Sequence, residues 1–192
     1  MTEYKEYGLV DDLGFVKTGV NEFINKRKYY STGSVKDKSL KVKGEYSFNN
    51  RPSRANREVQ EGDVLQARME NTNKVVLIDK NLNGSLFSTG FFQFRPPKEL
   101  ILPKFLYYYL YSDFFNKKKD SLCDGATQKA INDKNLRKIK LFLPSLSEQQ
   151  RIVAKLDATY AEIDKTINNT KKIISSHKDF LNSILEDFFN SK

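Results

Sequence analysis

The chain has 192 residues, 39% of them hydrophobic, and a mean hydropathy of −0.62, which describes a soluble and rather polar protein with room for one domain core. No stretch reaches the roughly 18 apolar residues of a membrane span, and the N-terminus has no apolar signal-peptide segment, so we expect a cytoplasmic location. One cysteine and one histidine exclude an internal disulfide, and we expect no metal site.

The net charge of +9 lies outside the C-terminal quarter of the chain. Residues 146–192 carry seven basic and seven acidic side chains, which cancel. Residues 26–57 alone hold ten basic side chains against two acidic ones. This concentration favours a polyanion such as nucleic acid. A solvated, lysine-rich surface of the kind that AT-rich genomes encode explains the charge equally well.

The first 57 residues end in a strongly basic stretch. Residues 39–48 alternate apolar and polar side chains, which predicts a strand or hairpin with Lys41 and Lys43 on one face. Residues 49–57 are expected to form a basic loop carrying Arg51, Arg54 and Arg57.

Three apolar runs then predict further strands, at residues 64–68, 75–78 and 85–94. A tight connection at Asn83-Gly84 separates the last two. Pro96-Pro97 ends this sheet region.

Residues 102–143 indicate a helix, a lysine-rich loop, a short helix and a closing strand. Pro103 fits the first turn of the helix, which is apolar on one face. Residues 116–128 are expected to be a loop containing Lys117, Lys118 and Lys119. Asn132 caps the short helix, and residues 139–143 are the strand. Residues 1–145 are therefore expected to form one strand-rich α+β domain.

Residues 146–192 predict a single long helix that contains neither proline nor glycine. Pro144 ends the preceding strand, and Ser147 with Gln150 forms an S-x-x-Q capping box. At 1.5 Å per residue the helix would be about 68 Å long, far beyond the diameter of a domain of this size.

The helix carries an unbroken heptad seam in which the apolar spacing alternates between three and four residues. The seam consists of Val153, Leu156, Tyr160, Ile163, Ile167, Thr170, Ile174, His177, Leu181, Ile184 and Phe188. Its own domain cannot cover a seam of this length, so we expect a coiled coil with another chain, most simply a copy of this one. Thr170 and His177 are interpreted as polar positions that fix the register. A pH switch at His177 is conceivable but has no second feature behind it.

Catalytic signatures are missing from the sequence. We find no phosphate-binding glycine loop, no cysteine–histidine or serine–histidine pair, and neither an amino-methyltransferase nor a nuclease motif. The chain is therefore expected to be a binding protein with no catalytic residues.

Four segments in order resemble one family, the DNA specificity subunits of type I restriction-modification systems. They are PSRANREVQEGDVLQAR (52–68), PKFLYYYLYS (103–112), GATQKAIND (125–133) and PSLSEQQRIVAKLD (144–157). In that family a subunit usually has two target recognition domains separated by two antiparallel helices. This chain departs from the pattern with one domain (1–145) and one helix (146–192), so it looks like a half-subunit.

The resemblance implies a division of labour among partners. The domain would read half of a split site in double-stranded DNA, and the helix would pair antiparallel with a second copy, giving a homodimer that reads a split palindrome. Methyltransferase subunits, which use S-adenosylmethionine, would dock on it. Restriction subunits would supply the ATP- and Mg-dependent steps, leaving this chain without a cofactor.

We assign DNA contacts to basic and amide side chains of the domain. The assigned residues are Lys36, Lys38, Lys41, Lys43, Arg51, Arg54, Arg57, Lys117, Lys118, Lys119, Gln128 and Lys129. Two other functions stay open. One is a coiled-coil interaction protein whose basic face binds RNA or protein, and the weaker one is a free-standing repressor, although no helix-turn-helix is visible.

Overall fold

The computed structural model describes residues 4–36 and 39–190. The chain divides into two compact units, Met1–Gln150 and Arg151–Lys192. The strands are β1 (Lys5–Gly8), β2 (Arg27–Tyr30), β3 (Val35–Lys36), β4 (Ser39–Leu40), β5 (Gly44–Tyr46), β6 (Ala55–Glu58), β7 (Val64–Ala67), β8 (Val75–Leu77), β9 (Leu86–Ser88), β10 (Phe91–Phe94) and β11 (Lys140–Leu143). The helices are α1 (Pro103–Tyr111), α2 (Asp113–Ser121), α3 (Asp133–Leu136) and α4 (Leu146–Asn190).

A three-stranded sheet with the order β10-β7-β8 lies at the centre of the first unit. Its strands carry apolar side chains on both faces because Phe92 and Phe94 point to one cluster while Phe91 points to another. Leu106 and Leu110 of α1 belong to the first cluster. The central sheet is therefore buried on both sides, which explains why β7 and β10 have no alternating pattern.

A four-stranded sheet with the order β5-β2-β9-β6 supplies the second cluster through Tyr30 and Phe87, whose rings stack with centroids 5.0 Å apart. Strands β2 and β9 run parallel, and the other neighbours are antiparallel. Strand β11 closes the unit by pairing with β1. This mixed, sheet-rich unit followed by a long helix confirms the predicted α+β class.

The strands predicted at 64–68 and 75–78, the helices at 103 and 133, and the closing strand are confirmed. Residues 39–48, predicted as a strand or hairpin, contain the short strands β4 and β5. They do not form a hairpin, because β4 pairs with β3 and β5 pairs with β2. Leu40 packs on the second cluster and Tyr46 on a third. The two strands therefore pack against different clusters.

Two predicted loops are partly regular. The basic segment 49–57 ends in β6, whose alternation buries the side chains of both Ala55 and Arg57. The loop expected at 116–128 begins as α2, because the Ser112 hydroxyl caps that helix by accepting from the Phe115 N–H. Lysines in its last turn complement the helix dipole.

The long helix begins at Leu146, which makes Ser145 the capping residue. Its hydroxyl accepts weakly from the Glu148 N–H at 3.4 Å. The predicted cap at Ser147 with Gln150 is therefore wrong by two residues. The boundary between the two units falls after Gln150, near the start of α4, and the domain assignment 1–145 and 146–192 stays a prediction.

Gln149, in the first turn of α4, is fully buried and makes three hydrogen bonds to two backbone segments of the first unit. Its Oε1 accepts from the Leu102 N–H at 2.9 Å, immediately before α1. Its Nε2 donates to the carbonyl oxygens of Leu100 and Pro144, both at 3.0 Å. The side chain thus fixes the start of α4 against the start of α1.

Asp63 plays a similar part in the segment that opens β7. It is fully buried and accepts from the Gln60 N–H, the Gln93 amide and the Arg95 guanidinium at 2.7–3.0 Å. These bonds satisfy the buried carboxylate and explain the aspartate before β7 as structural.

Candidate nucleic-acid interface

Three predicted lysines lie beside the four-stranded sheet. Lys36 is in β3, and Lys41 and Lys43 are between β4 and β5. All three side chains are exposed, and the Lys43 N–H anchors its segment to the Tyr29 carbonyl at 2.9 Å. Lys38 lies outside the described residues. The positive charge of the three described lysines is thus accessible to a polyanion.

Two loops at the same sheet, residues 21–26 before β2 and residues 47–54 before β6, are held together by aromatic rings; we call them the paired loops. The rings of Phe23 and Phe48 meet edge to face with centroids 5.6 Å apart. Phe23 is buried under its loop. This ring geometry is favourable beyond the area that it buries, so each loop restrains the other.

Two arginines cover these rings. The Arg27 guanidinium lies 4.2 Å from the centroid of Phe23 and pairs with Glu58 at 2.7 Å. The Arg51 guanidinium lies 3.9 Å from the centroid of Phe48 and also donates to the Phe48 carbonyl. Arg51, one of the predicted residues, is therefore pre-positioned by stacking.

The paired loops present side chains that the sequence analysis did not single out. Ile24 is 97% exposed, although the residue before it is buried. Asn25 and Lys26 beside it and Asn49 and Asn50 on the other loop are also exposed. In the sequence, an isoleucine after a phenylalanine looks like a core residue, so only the fold reveals its exposure.

Arg54, at the end of the second loop, is exposed and lies against the β9–β10 connection. A Cβ added to Gly90 would come within 3.2 Å of Arg54 Nη2 and 3.0 Å of Thr32 Cγ2. The absence of a side chain at Gly90 therefore lets the guanidinium sit close to the backbone.

The assignment of Arg57 to DNA contact is wrong for this conformation. Its side chain is 1% exposed and donates to the Val16 carbonyl at 2.9 Å. Burial, together with the positive charge of Arg68, lowers the pKa of Arg57 to about 10. Alternation along β6 turns this arginine inward, where no phosphate can reach it.

The three consecutive lysines have three different environments. Lys117 is exposed, Lys118 is half-buried and Lys119 is fully buried. Lys119 Nζ donates to the carbonyl oxygens of Met69 and Thr72 at 3.1 and 2.8 Å, and burial lowers its pKa. The DNA contact assigned to Lys119 is therefore wrong as well, because its ammonium holds the turn after β7.

Gln128 and Lys129 are exposed beside that same turn. The Glu70 N–H donates to the Lys129 carbonyl at 3.0 Å, and Lys129 Nζ lies 3.9 Å from the Glu70 carboxylate. Gly125 has a φ of 126°, and a Cβ there would be 2.7 Å from the Gln128 carbonyl oxygen. Only glycine allows this close turn.

Lys74 was not predicted from the sequence. It links the loop that carries Arg54 to the turn beside Gln128 and Lys129. Its Nζ donates to the Thr32 carbonyl at 3.0 Å, and Thr32 lies beside Gly90 and Arg54. The turn 68–74 that carries Lys74 also receives the hydrogen bonds from Lys119. The fold therefore connects Arg54 with the region of Lys129.

The predicted seam lies along α4. Val153, Leu156 and Tyr160 are half-buried, and the seam residues from 163 onward are exposed. Ile163 is 45% and Phe188 is 68% exposed. Four further large apolar side chains of α4 are exposed, namely Ile173, Phe180, Leu185 and Phe189. The helix thus carries more apolar surface than a monomer normally leaves in water.

Other functional features were searched for in residues 4–36 and 39–190. In these ranges no three histidine, cysteine or acidic side chains come together as metal ligands would. None of the helices described there is both long and apolar enough to cross a membrane.

Comparison with known proteins places these features in a family. The family described as "Type I restriction modification DNA specificity domain" matches residues 15–172. The specificity subunit of the type I restriction enzyme StySPI from Salmonella potsdam is 32% identical over 89 residues, which are 46% of this chain and 19% of that protein. Specificity subunits of type I systems are non-catalytic.

Solved structures share the fold. The HsdS subunit of Thermoanaerobacter tengcongensis superposes with a TM-score of 0.76 at 24% identity, over 96% of this chain and 49% of that one. A chain from a type I R-M system, studied for its complex assembly, gives a TM-score of 0.74 at 23% identity with the same coverage. This chain therefore spans about half the length of these solved proteins. Because the family match covers most of its length, the chain belongs to the type I restriction-modification DNA specificity family.

Proposed function

We propose that this chain directs a type I restriction-modification complex to DNA by reading one half of a split site. The paired loops carry the proposal: they present amide, basic and apolar side chains on a restrained scaffold beside exposed lysines. Recognition of DNA needs this combination, because phosphate contacts position a protein while amides, arginines and apolar groups distinguish base edges. Family membership supports the same function.

The placement of the charged side chains distinguishes those suited to phosphates from those suited to base edges. Lys36, Lys41, Lys43 and Lys117 are exposed and carry flexible ammonium groups suited to phosphates. Arg51 and Arg54 are held by packing at the paired loops, so we assign them to base edges. Gln128 and Lys129 would contact DNA beyond the turn that carries Lys74, and Lys118 would support that contact.

Partner subunits would perform the catalytic steps. Methyltransferase subunits would bind S-adenosylmethionine, and restriction subunits would bind ATP and Mg, while this chain would perform no catalytic step. A second copy would pair through α4, because a 45-residue helix with an exposed heptad seam needs a partner of equal length. The homodimer would then present two reading domains and recognise an inverted repeat.

Selection from random duplex DNA tests this function. We expect the intact chain to enrich an inverted repeat with a constant gap, and sedimentation to show a dimer. Enrichment of no sequence would contradict DNA recognition, and a monomer at micromolar concentration would contradict self-pairing.

The affinity for the specific site separates exposed from buried arginines. Arg54→Ala is expected to weaken specific binding by about 1–3 kcal/mol, because we assign its guanidinium to a base edge. Arg57→Met is expected to leave the affinity unchanged, since that side chain is buried. A loss of affinity with Arg57→Met in a stably folded protein would contradict the assignment.

Ile24 offers a test at the level of one methyl group. Thymine carries the only apolar group on the major-groove edges of the base pairs, so we expect Ile24 to contact a thymine methyl. Replacing the contacted thymine by deoxyuridine should weaken wild-type binding about three- to tenfold. Ile24→Ala should bind both duplexes equally, whereas the control Phe142→Ala, on the distant strand β11, should still discriminate them. Equal binding of both duplexes by the wild type would refute the contact.

A further inference from the structure

The residues that flank the seam of α4 have an ordered charge pattern. With Val153 at position a, the side chains at position e are two acids followed by two bases, namely Asp157, Asp164, Lys171 and Lys178. The side chains at position g over the same length are uncharged, namely Ile152, Thr159, Thr166, Ile173 and Phe180. The charge beside the seam is therefore confined to one edge, acidic in its first half and basic in its second.

This pattern agrees with the antiparallel orientation that the family resemblance implies for a second copy. In a parallel pair of helices, position e of one faces position g of the other, so all four charges would face isoleucine or threonine. In an antiparallel pair, e faces e, and the acidic half of one helix meets the basic half of its partner. Charge complementarity therefore favours an antiparallel copy over a parallel one.

The same charges select one register. We propose that α4 pairs antiparallel with α4 of a second copy so that Asp164 faces Lys171 and Asp157 faces Lys178, each pair occurring twice by symmetry. This inference rests on the proposed homodimer and specifies its interface.

In that register every seam layer from residue 153 to residue 184 is filled. The layers pair Val153 with Ile184, Leu156 with Leu181, Tyr160 with His177, Ile163 with Ile174, and Ile167 with Thr170. Each polar seam residue thus meets a larger side chain, and the two threonines lie at the symmetry axis. The exposed isoleucines of the seam, Ile163, Ile167, Ile174 and Ile184, become buried against the partner helix.

A slip of one heptad in either direction brings like charges together. A slip toward the start of the helix places Asp164 against Asp164 of the partner, and a slip toward its end places Lys171 against Lys171. Each slip also removes one of the two kinds of opposite-charge pair. Because like charges that face each other are destabilising, the neighbouring registers are disfavoured.

Cysteine cross-linking tests orientation and register together, in a Cys123→Ser background that removes the natural thiol. Ile163→Cys with Ile174→Cys should give a disulfide-linked dimer on mild oxidation. Ile174→Cys alone would cross-link only in a parallel pair. Ile163→Cys with Leu181→Cys would cross-link in a parallel pair or after a slip of one heptad toward the end of the helix. Preferential cross-linking of either control pair would overturn the proposal.

Charge exchange gives a second test. Asp164→Lys or Lys171→Asp alone should raise the dissociation constant of the dimer about tenfold at low salt, and the two together should restore it. Glu162→Lys, two residues from Asp164 and facing away from the seam, should have little effect. Failure of the double variant to recover would contradict the pairing.

The outcomes distinguish this inference from the proposed function. Sedimentation as a monomer would contradict both the proposed homodimer and its register. A chain that sediments as a dimer, yet does not cross-link through Ile163→Cys and Ile174→Cys, overturns the register and leaves the homodimer standing.

Discussion

Replacing Ile167 and Ile174 together with aspartate is expected to convert the dimer to a monomer, raising its dissociation constant by at least about 10³-fold. Both side chains are exposed on α4, at 45% and 63%, and both occupy position a of the seam. A dimer would bury four isoleucines at these two positions, each contributing about 1.5–3 kcal/mol. The aspartates would instead bring unpaired charges into the interface.

Sedimentation equilibrium over a concentration series measures this effect. Asn169→Asp with Ser176→Asp is the matched control, since it adds the same two charges at position c, which faces away from the seam. The control should remain dimeric with an unchanged helical content. Equal weakening by both pairs would mean that net charge, rather than the seam, controls association.

Gln149→Ala is expected to lower the free energy of unfolding by about 3 kcal/mol, while Gln150→Ala should change it by less than about 0.5 kcal/mol. The Gln149 side chain is fully buried, and its loss leaves the Leu102 N–H and the carbonyl oxygens of Leu100 and Pro144 without a side-chain partner. Its neighbour Gln150 is exposed.

Urea denaturation of both variants compares two adjacent glutamines on one helix, so differences in helix propensity cancel. Gln149→Ala should also leave the slope of the free energy against urea concentration unchanged. A similar loss of stability in both variants would show that the start of α4 depends on helix propensity and not on the buried amide.

The seam of α4 could be predicted because its signal is local and periodic. Alternating spacings of three and four residues depend only on helix geometry, and they require no knowledge of the rest of the fold. The charge pattern at position e was equally visible in the sequence. It acquires meaning only once the heptad positions are assigned.

The cap of α4 shows where local signals fail. Ser145 with Glu148 and Ser147 with Gln150 both satisfy the capping-box pattern. The three hydrogen bonds of Gln149 to segments of the first unit set which serine lies outside the helix. Two of these bonds join residues 47 and 49 positions apart, so the sequence offers no way to choose between the two serines.

Charge in the sequence likewise gives no measure of exposure. Arg54 and Arg57 are three residues apart in a basic segment, yet the first is exposed and the second is buried. Arg54 precedes β6, whereas alternation along β6 turns Arg57 inward. Lys119 follows two accessible lysines and is buried because the turn after β7 offers it two carbonyl oxygens.

Ile24 shows the opposite error, an apolar side chain that is exposed although its sequence suggests burial. A sequence pattern assigns an apolar residue to the core, whereas the loop that carries it is anchored by Phe23 and Arg27 and turns the isoleucine into solvent. Tertiary packing of the neighbouring rings, and not the loop sequence, creates this exposed side chain.

Sequencing of methylated adenines in DNA treated with the cognate methyltransferase subunit tests the central claim most directly. With this chain present, we predict methylation confined to a split inverted repeat, and with the chain omitted, no methylation above background. The Ile24→Ala variant should relax the motif at one position in each half-site. Methylation of the same sites at the same rate without the chain would contradict its role in specificity.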